Sequence, residues 1–167
     1  VSDLPWIASE GGPLVFMHRS LLGTWRGVSG TVDAGATTDY ERACAVDDEL
    51  GVLGGTPGIL VLGDEPDATS LRQFGDATVI VRWRSAPSAA LMETALSEGL
   101  GHVAFVSVGP FHTIPGEHVL FDSACARSDM ASSIVATLTG TSYELATAML
   151  VDDRGVSALL HRLSGVG

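Results

Sequence analysis

The sequence predicts an α+β fold: a largely antiparallel β-sheet of about seven to nine strands, with two main helices over residues 38–50 and 87–99. Three observations predict it. Short apolar runs rich in β-branched residues outnumber helical patterns, most of them follow one another across hairpin-length turns, and only two stretches carry helix-start signals. Length and composition agree. With 167 residues, 46% hydrophobic and 17% charged, the chain (1–167) can close a single domain over a core of its own without staples.

The elements follow in chain order. "PWIASEGGPLVFM" sets two short apolar stretches around Gly11-Gly12, a pair that permits the positive φ of a tight hairpin. Pro13 suits a first strand position because it has no N–H for the ladder. "HRSLLGTWRG" has room for one helical turn, with Trp25 as its anchor on the core, and Gly27, Gly30 and Gly35 mark the loop "GVSGTVDAGA". Beyond the first helix, "GILVLGDEP" reads as a buried strand stopped by Gly63 and Pro66, and "ATVIVRW" as a second. "PSAALMETALSEGL" is a helix with Pro87 near its first position and Gly99 near its end. "HVAFVSVG" and "EHVLFDSA" are strands joined by the loop "PFHTIPG", which puts His102 and His118 at strand starts and His112 in an exposed loop. The last third is all β: "SSIVATLTG", "SYELATAMLVD" and "VSALLHRL", the last two separated by "DRG" with Gly155 where a bulged hairpin needs it.

The stretch "TDYERACAVDDEL", residues 38–50, holds five carboxylates, and they divide into three groups. Thr38 and Glu41 form a capping box, and Asp39 and Glu41 in the first turn complement the positive end of the helix dipole. Gly51 directly after Leu50 supplies a left-handed exit. At about 100° per residue, Tyr40, Ala43, Val46, Asp47 and Leu50 share one stripe, so Asp47 stands on the apolar face. A carboxylate buried there needs a partner. The expectation is a structural ion pair of Asp47 with Arg26, with Arg82 and Arg84 as the other options. Asp48 and Glu49 are then the outward acids, joined by Asp64, Glu65 and Asp67 of "GDEPD".

Charge is the strongest global signal. The formal net charge is −11, and all nine basic residues are arginine. Such a surface repels phosphate backbones and disfavours direct nucleic-acid binding, whereas it suits a basic protein partner; plain solubility accounts for a surplus of acids equally well. The apolar runs are far shorter than the roughly 20 residues of a membrane span, so no membrane partner is expected. "VSDLPWIASE" has no basic or apolar leader pattern, which suggests a cytoplasmic protein without a signal peptide. Cys44 and Cys125, 81 positions apart and outside any C-x-x-C pair, read as two buried thiols of a reducing compartment.

Motifs of chemistry are sparse. "GVLGGTPG" runs from helix to strand, the reverse of a phosphate-binding loop, and Gly27-Val28-Ser29-Gly30 lacks one residue of a nucleophile elbow. His102, His112 and His118 with Asp122 could supply metal ligands, but only His118 and Asp122 have a spacing that puts them on one strand face. No cofactor, metal or catalytic residue is assigned.

Taken in order, "WIASEGGPL", "SLLGTWRG", "TDYERACAVDDELG", "LVLGDEP", "VRW", "VLFDSA" and "LLHRL" resemble the immunity protein 21 family of bacterial polymorphic toxin systems, from about Trp6 to Leu163. The resemblance implies a small cytosolic α+β protein that binds a cognate toxin domain and protects the producing cell, without catalytic residues. On that expectation the partner is a toxin domain, for example a nuclease with a basic cleft, and the candidate interface is Asp48, Glu49, Asp64, Glu65 and Asp67. Two other readings follow from the residues: a small enzyme with its site near Asp47, Arg26 and the histidine loop, or a structural or oligomerising module.

Overall fold

Ten strands in two antiparallel-paired sheets, with two helices, account for the regular structure of the computed structural model, which describes residues 4–29, 35–63, 65, 67–127, 130 and 132–167. The strands are β1 (Leu14–His18), β2 (Leu50–Leu53), β3 (Ile59–Leu62), β4 (Thr69–Phe74), β5 (Ala77–Ser85), β6 (Val106–His112), β7 (Gly116–Asp122), β8 (Ser133–Leu138), β9 (Ser142–Val151) and β10 (Ser157–Gly165). The helices are α1 (Asp39–Cys44) and α2 (Ala89–Gly99), and a 3₁₀ turn spans Arg19–Gly23. The α+β class holds, with one strand more than expected. Residues 30–34 of the glycine-marked loop, together with Asp64 and Pro66, lie outside the described residues.

The chain divides into two compact units that alternate along the sequence: one from Val1–Trp6, Asp67–Phe111 and Ser142–Gly167, the other from Ile7–Pro66 and His112–Thr141. In the first, the sheet order is β4-β5-β10-β9-β6. Helix α2 starts at Ser88, whose hydroxyl accepts the Leu91 N–H, and so caps one of its orphan donors. It lays Met92, Ala95, Leu96 and the following Leu100 on Val79 and Val81 of β5, Leu150 of β9 and Ala158 and Leu160 of β10. A fully buried Leu or Met in such a layer contributes roughly 1.5–3 kcal/mol. Gly99 permits this approach, since a Cβ there would stand 2.5 Å from Leu150 Cδ1. The β9–β10 hairpin closes at Gly155, φ +83°, in agreement with its "DRG" signal.

In the second unit the order is β2-β3-β1-β7-β8. Val15 and Met17 of β1, Val61 of β3 and Val119 and Phe121 of β7 form one buried face, covered by Leu22, Trp25 and Ala43. Trp25 is the anchor its sequence context suggests: its ring meets Phe121 edge-on, and its Nε1–H donates to the Ser123 carbonyl at 3.1 Å.

Helix α1 corrects the expected span of 38–50. Its start is as read: Thr38 and Glu41 make the full capping box, Thr38 N–H to Glu41 Oε2 at 2.7 Å and Glu41 N–H to Thr38 Oγ1 at 3.0 Å. It stops at Cys44, and residues 50–53 pair with β3 instead, Leu50 opposite Leu62 and Val52 opposite Leu60. A six-residue helix gains little from propagation, so a strand partner with buried Leu60 and Leu62 decides the conformation of the second half. Gly51 is therefore no helix exit. It lies within β2, where a Cβ would collide with Val46.

Three further boundaries move. The segment before Gly11 makes only an isolated bridge at Ile7, not a strand. His102 sits in the turn after α2, and β6 begins four residues later and runs through Pro110 to His112, so that His112 ends a strand and the loop shrinks to 113–115. The helix at 87–99 is capped by Ser88, which leaves Pro87 just outside it.

The loop from Trp25 to Ser29 is stitched to the turn after β7. Val28 N–H donates to the Ala124 carbonyl at 3.1 Å and the Gly27 carbonyl accepts from Tyr40 at 3.2 Å. Gly27 holds φ +59°, and a Cβ there would overlap the Ala124 carbonyl backbone. Gly27→Ala combines a left-handed strain with a backbone clash and is expected to lower stability by roughly 2 kcal/mol or more; urea denaturation measures it, with Gly23→Ala, which meets nothing within 4 Å, as the mild comparison.

Candidate functional site

The acids that the sequence singles out have separate fates. Asp47, Asp48 and Glu49 are exposed in the connection from α1 to β2. That connection is fixed from below: the Glu49 carbonyl accepts the Gly63 N–H at 3.1 Å, and Gly63 has no room for a side chain, since a Cβ would lie 2.9 Å from the Asp48 carbonyl oxygen. Gly63 thus sets the backbone of Asp48 and Glu49 beside the start of the "DEP" segment, where Glu65 is also exposed. Asp64 lies outside the described residues.

The buried Asp47–Arg26 pair does not form. Because α1 ends at Cys44, Asp47 has no place on a helical stripe; it is exposed, and so is Arg26. Arg26 meets an aspartate through its backbone instead, its N–H donating to Asp39 Oδ2 at 2.8 Å. The small-enzyme reading centred on Asp47 and Arg26 loses its geometry with the pair.

Asp67 belongs to the interior. Its carboxylate lies 3.1 Å from Arg84 Nη1 and 3.8 Å from Arg82 Nη2, and the Arg82 side chain is only 2% exposed. An ion pair whose cation is this deeply buried holds the start of β4 to β5, where Thr69 stands opposite Arg82. Asp67 is a structural anchor, not an outward acid.

The charge is unevenly placed. The unit Ile7–Pro66 and His112–Thr141 carries twelve of the twenty acidic residues but four of the nine arginines, a formal −8 of the total −11. Asp48, Glu49 and Glu65 all belong to it. Its acids therefore outnumber its bases three to one.

Of the histidines, His118 and His161 are buried, whereas His102 and His112 are exposed. His118 is fully buried on β7, stacked on Phe16 with ring centroids 5.3 Å apart, and meets His18 edge-on. Its Nδ1 reaches the Gly116 carbonyl at 3.0 Å, so that nitrogen carries the proton and Nε2 accepts from Thr113 Oγ1 at 2.7 Å. A hydroxyl beside an imidazole is the pairing a nucleophile needs, but here Thr113 is buried, at 1% exposure. Asp122 spends Oδ2 on the Glu10 N–H and Oδ1 on the Ala124 N–H, both at 2.9 Å. Among the described residues no group of three or more His, Cys, Asp or Glu could hold a metal ion. The cysteines are free; Cys44 is exposed and Cys125 half-buried, so the expectation of two buried thiols fails for Cys44. No helix among the described residues is long and apolar enough to cross a membrane.

In the other unit His161 is buried on β10, with Nδ1 2.9 Å from Thr147 Oγ1. Burial first, then the charges of Arg82 and Arg84, push its pKa down to about 3, and burial pushes that of His118 down to about 4. Both folded values lie below the ordinary 6.5, so the unfolded chain binds more protons between those limits. The stabilisation is complete above pH 6.5 and is lost as pH falls towards 4 and then 3. Denaturant midpoints measured across that range should fall with pH, and His161→Leu should flatten the fall. Asp67→Asn should cost about 2 kcal/mol by leaving the buried Arg82 short of a counter-charge, whereas Asp48→Asn should stay within about 0.5 kcal/mol of the parent; urea melts distinguish the two.

The chain as a whole has been compared with known proteins. The family model described as immunity protein 21 matches residues 5–155. No curated protein and no solved structure matches the chain. The matched span includes α1 with its capping box, the Asp48–Glu49 connection, the Asp67–Arg82–Arg84 anchor and the Asp122 turn. With nine-tenths of its length under one family model, the chain belongs to the immunity protein 21 family.

Proposed function

We infer that the protein is a non-enzymatic immunity protein of a polymorphic toxin system, which acts in the cytoplasm by binding a cognate toxin domain and holding it inactive. Family membership over residues 5–155 is the observation that carries this reading. The acidic surplus of one unit supports a basic partner surface, such as the phosphate-binding cleft of a nuclease, and Asp48, Glu49 and Glu65 are the exposed acids placed to meet it. Asp67 is left out of that surface because the fold uses it.

Exposed charges of this kind act mainly on encounter. They raise the association rate and choose among partners by sign, and their influence fades over about 10 Å at 0.1 M salt. The unit's −8 is therefore expected to appear in kinetics more than in the final affinity.

Co-expression with the toxin encoded by the adjacent reading frame tests the reading: the protein should restore growth and co-purify with the toxin domain. Failure of both would end it for that pair. Within a working pair, Asp48→Lys/Glu49→Lys should lower the association rate roughly tenfold at low salt, leave the dissociation rate near its original value, and reduce the salt dependence; stopped-flow or surface-binding kinetics at several salt concentrations report all three.

A further inference from the structure

We propose that Arg26 and Arg127 form the receptor for a carboxylate side chain of the toxin domain, in a cavity of the acidic unit; this rests on the toxin-binding reading above. Arg19 pairs with Glu117, Arg42 with Asp39, Arg82 and Arg84 with Asp67, and Arg154 with Glu98 and Asp152. Arg72 donates to the Ser97 hydroxyl, and Arg162 lies over the Phe105 ring at 4.3 Å. Among the described residues, only the guanidinium groups of Arg26 and Arg127 take part in no ion pair, hydrogen bond or ring contact. Both line one cavity of about 640 Å³, with Leu22, Trp25 and Ser29.

In a unit where acids outnumber arginines three to one, two cations that line one cavity and have no counter-charge among the described residues are unexpected. The frame that presents them is nonetheless rigid. The Arg26 N–H is held by Asp39 at 2.8 Å and its carbonyl accepts from Ser29 at 3.0 Å, while Trp25 below it is 5% exposed and bonded to Ser123. Arg127 follows the Asp122 turn that this loop is stitched to. A guanidinium offers a planar fork of donors that matches a carboxylate, and the buried Leu22 and Trp25 give an apolar wall for the stem of an Asp or Glu. Arginines beside an aromatic, on a supported loop, are the composition of an interface anchor. The partner is thus a surface that is basic at large, to suit the acidic unit, and carries one acidic side chain at its centre.

The two contributions have opposite signs under mutation, which makes the test decisive. Arg26→Ala/Arg127→Ala makes an already acidic protein two charges more acidic, so attraction by the overall field would tighten binding to a basic toxin. A carboxylate receptor predicts the reverse. With the toxin domain of the adjacent reading frame as ligand, the double variant should bind roughly tenfold to a hundredfold more weakly, chiefly through faster dissociation. Arg26→Lys/Arg127→Lys, which keeps the charge and loses the fork, should fall between, and Arg19→Ala should bind as the parent does. Both arginines are exposed, so the variants should melt with the parent, and the lysine pair retains the test if the alanine pair does not fold. Unchanged or tighter binding by the alanine pair would overturn the receptor while leaving the toxin-binding reading intact. Loss of parental binding by inorganic phosphate alone, with no effect of the alanine pair on toxin affinity, would assign the cavity to a free anion and overturn it too. A parent that does not bind the toxin removes the reading itself, and this inference with it.

Discussion

Both carboxylate oxygens of Asp122 are committed to backbone N–H groups, one to Glu10 before β1 and one to Ala124 in the turn that follows β7. The surroundings of the candidate receptor follow from that bracket. It is reinforced by the Ser123 N–H on the Pro13 carbonyl and by the Cys125 N–H on Asp122's own carbonyl, so residues 122–125 become a fixed ledge at the end of the sheet. The ledge presents two carbonyls outward. Ser123 takes the Trp25 indole, and Ala124 takes the Val28 N–H, which brings the Trp25–Ser29 loop so close that position 27 has no room for a Cβ. Charge-assisted bonds to N–H groups are stronger than neutral ones, so one short acidic side chain can hold an irregular segment that no ladder reaches. Arg127 follows the ledge that this carboxylate holds, and Arg26 lies on the loop bonded to the ledge's carbonyls.

The acids of the chain fall into those that fold it and those that face outward. Asp39 and Glu41 serve the start of α1, Asp67 neutralises buried arginines, Asp122 brackets the turn, and Asp152 holds the tip of the β9–β10 hairpin through the Arg154 N–H. The hydrogen bonds from Thr38 and Arg154 keep Glu41 and Asp152 below the usual carboxylate range, which is how a cap and a turn register their use of the charge. Around α1 and β2, Asp47, Asp48 and Glu49 are exposed, and Gly63 supports the backbone of Asp48 and Glu49. Sharing of this kind explains why net charge alone is a poor guide to an interface: the surplus is real, but five of the twenty acids, Asp39, Glu41, Asp67, Asp122 and Asp152, have prior engagements in the fold.

The sequence was most legible where a feature is local. The capping box at Thr38 and Glu41, the 3₁₀ turn before Trp25 and the hairpin at Gly155 are each specified by residues within four positions of one another, and each forms as read; the second helix forms too, with Ser88 as its cap and Pro87 outside it. It was least legible where a distant strand decides. Nothing between residues 45 and 53 announces that Leu50 will stand opposite Leu62, so the periodicity of the first helix ran on past its true end and carried Asp47 onto an apolar face that does not exist. Strand β4 hid for another reason: its polar "TSLRQF" reads as surface, although Gly75-Asp76, between it and β5, is a two-residue hairpin signal. Arg127 had no signal of its own, since its place in the lining of the cavity that Arg26 also lines comes after the turn bracketed by Asp122.

A diffuse field and a fixed receptor solve different parts of recognition. Attraction between an acidic protein and a basic cleft is common to any partner of the right sign; it accelerates encounter but separates poorly between toxins that all bind phosphates. Discrimination requires a contact whose loss leaves a group buried and unpaired, because that penalty falls on the wrong partner alone. Two arginines in an acidic unit meet that condition from both sides. A partner without a carboxylate at the matching position would bury guanidinium groups with nothing to receive them, and a partner with too many acids would be repelled by the unit's −8 before it arrived. On the receptor proposed above, opposite charges within one unit would select a partner that is basic in bulk and acidic at one point, a narrower description than either charge supplies alone.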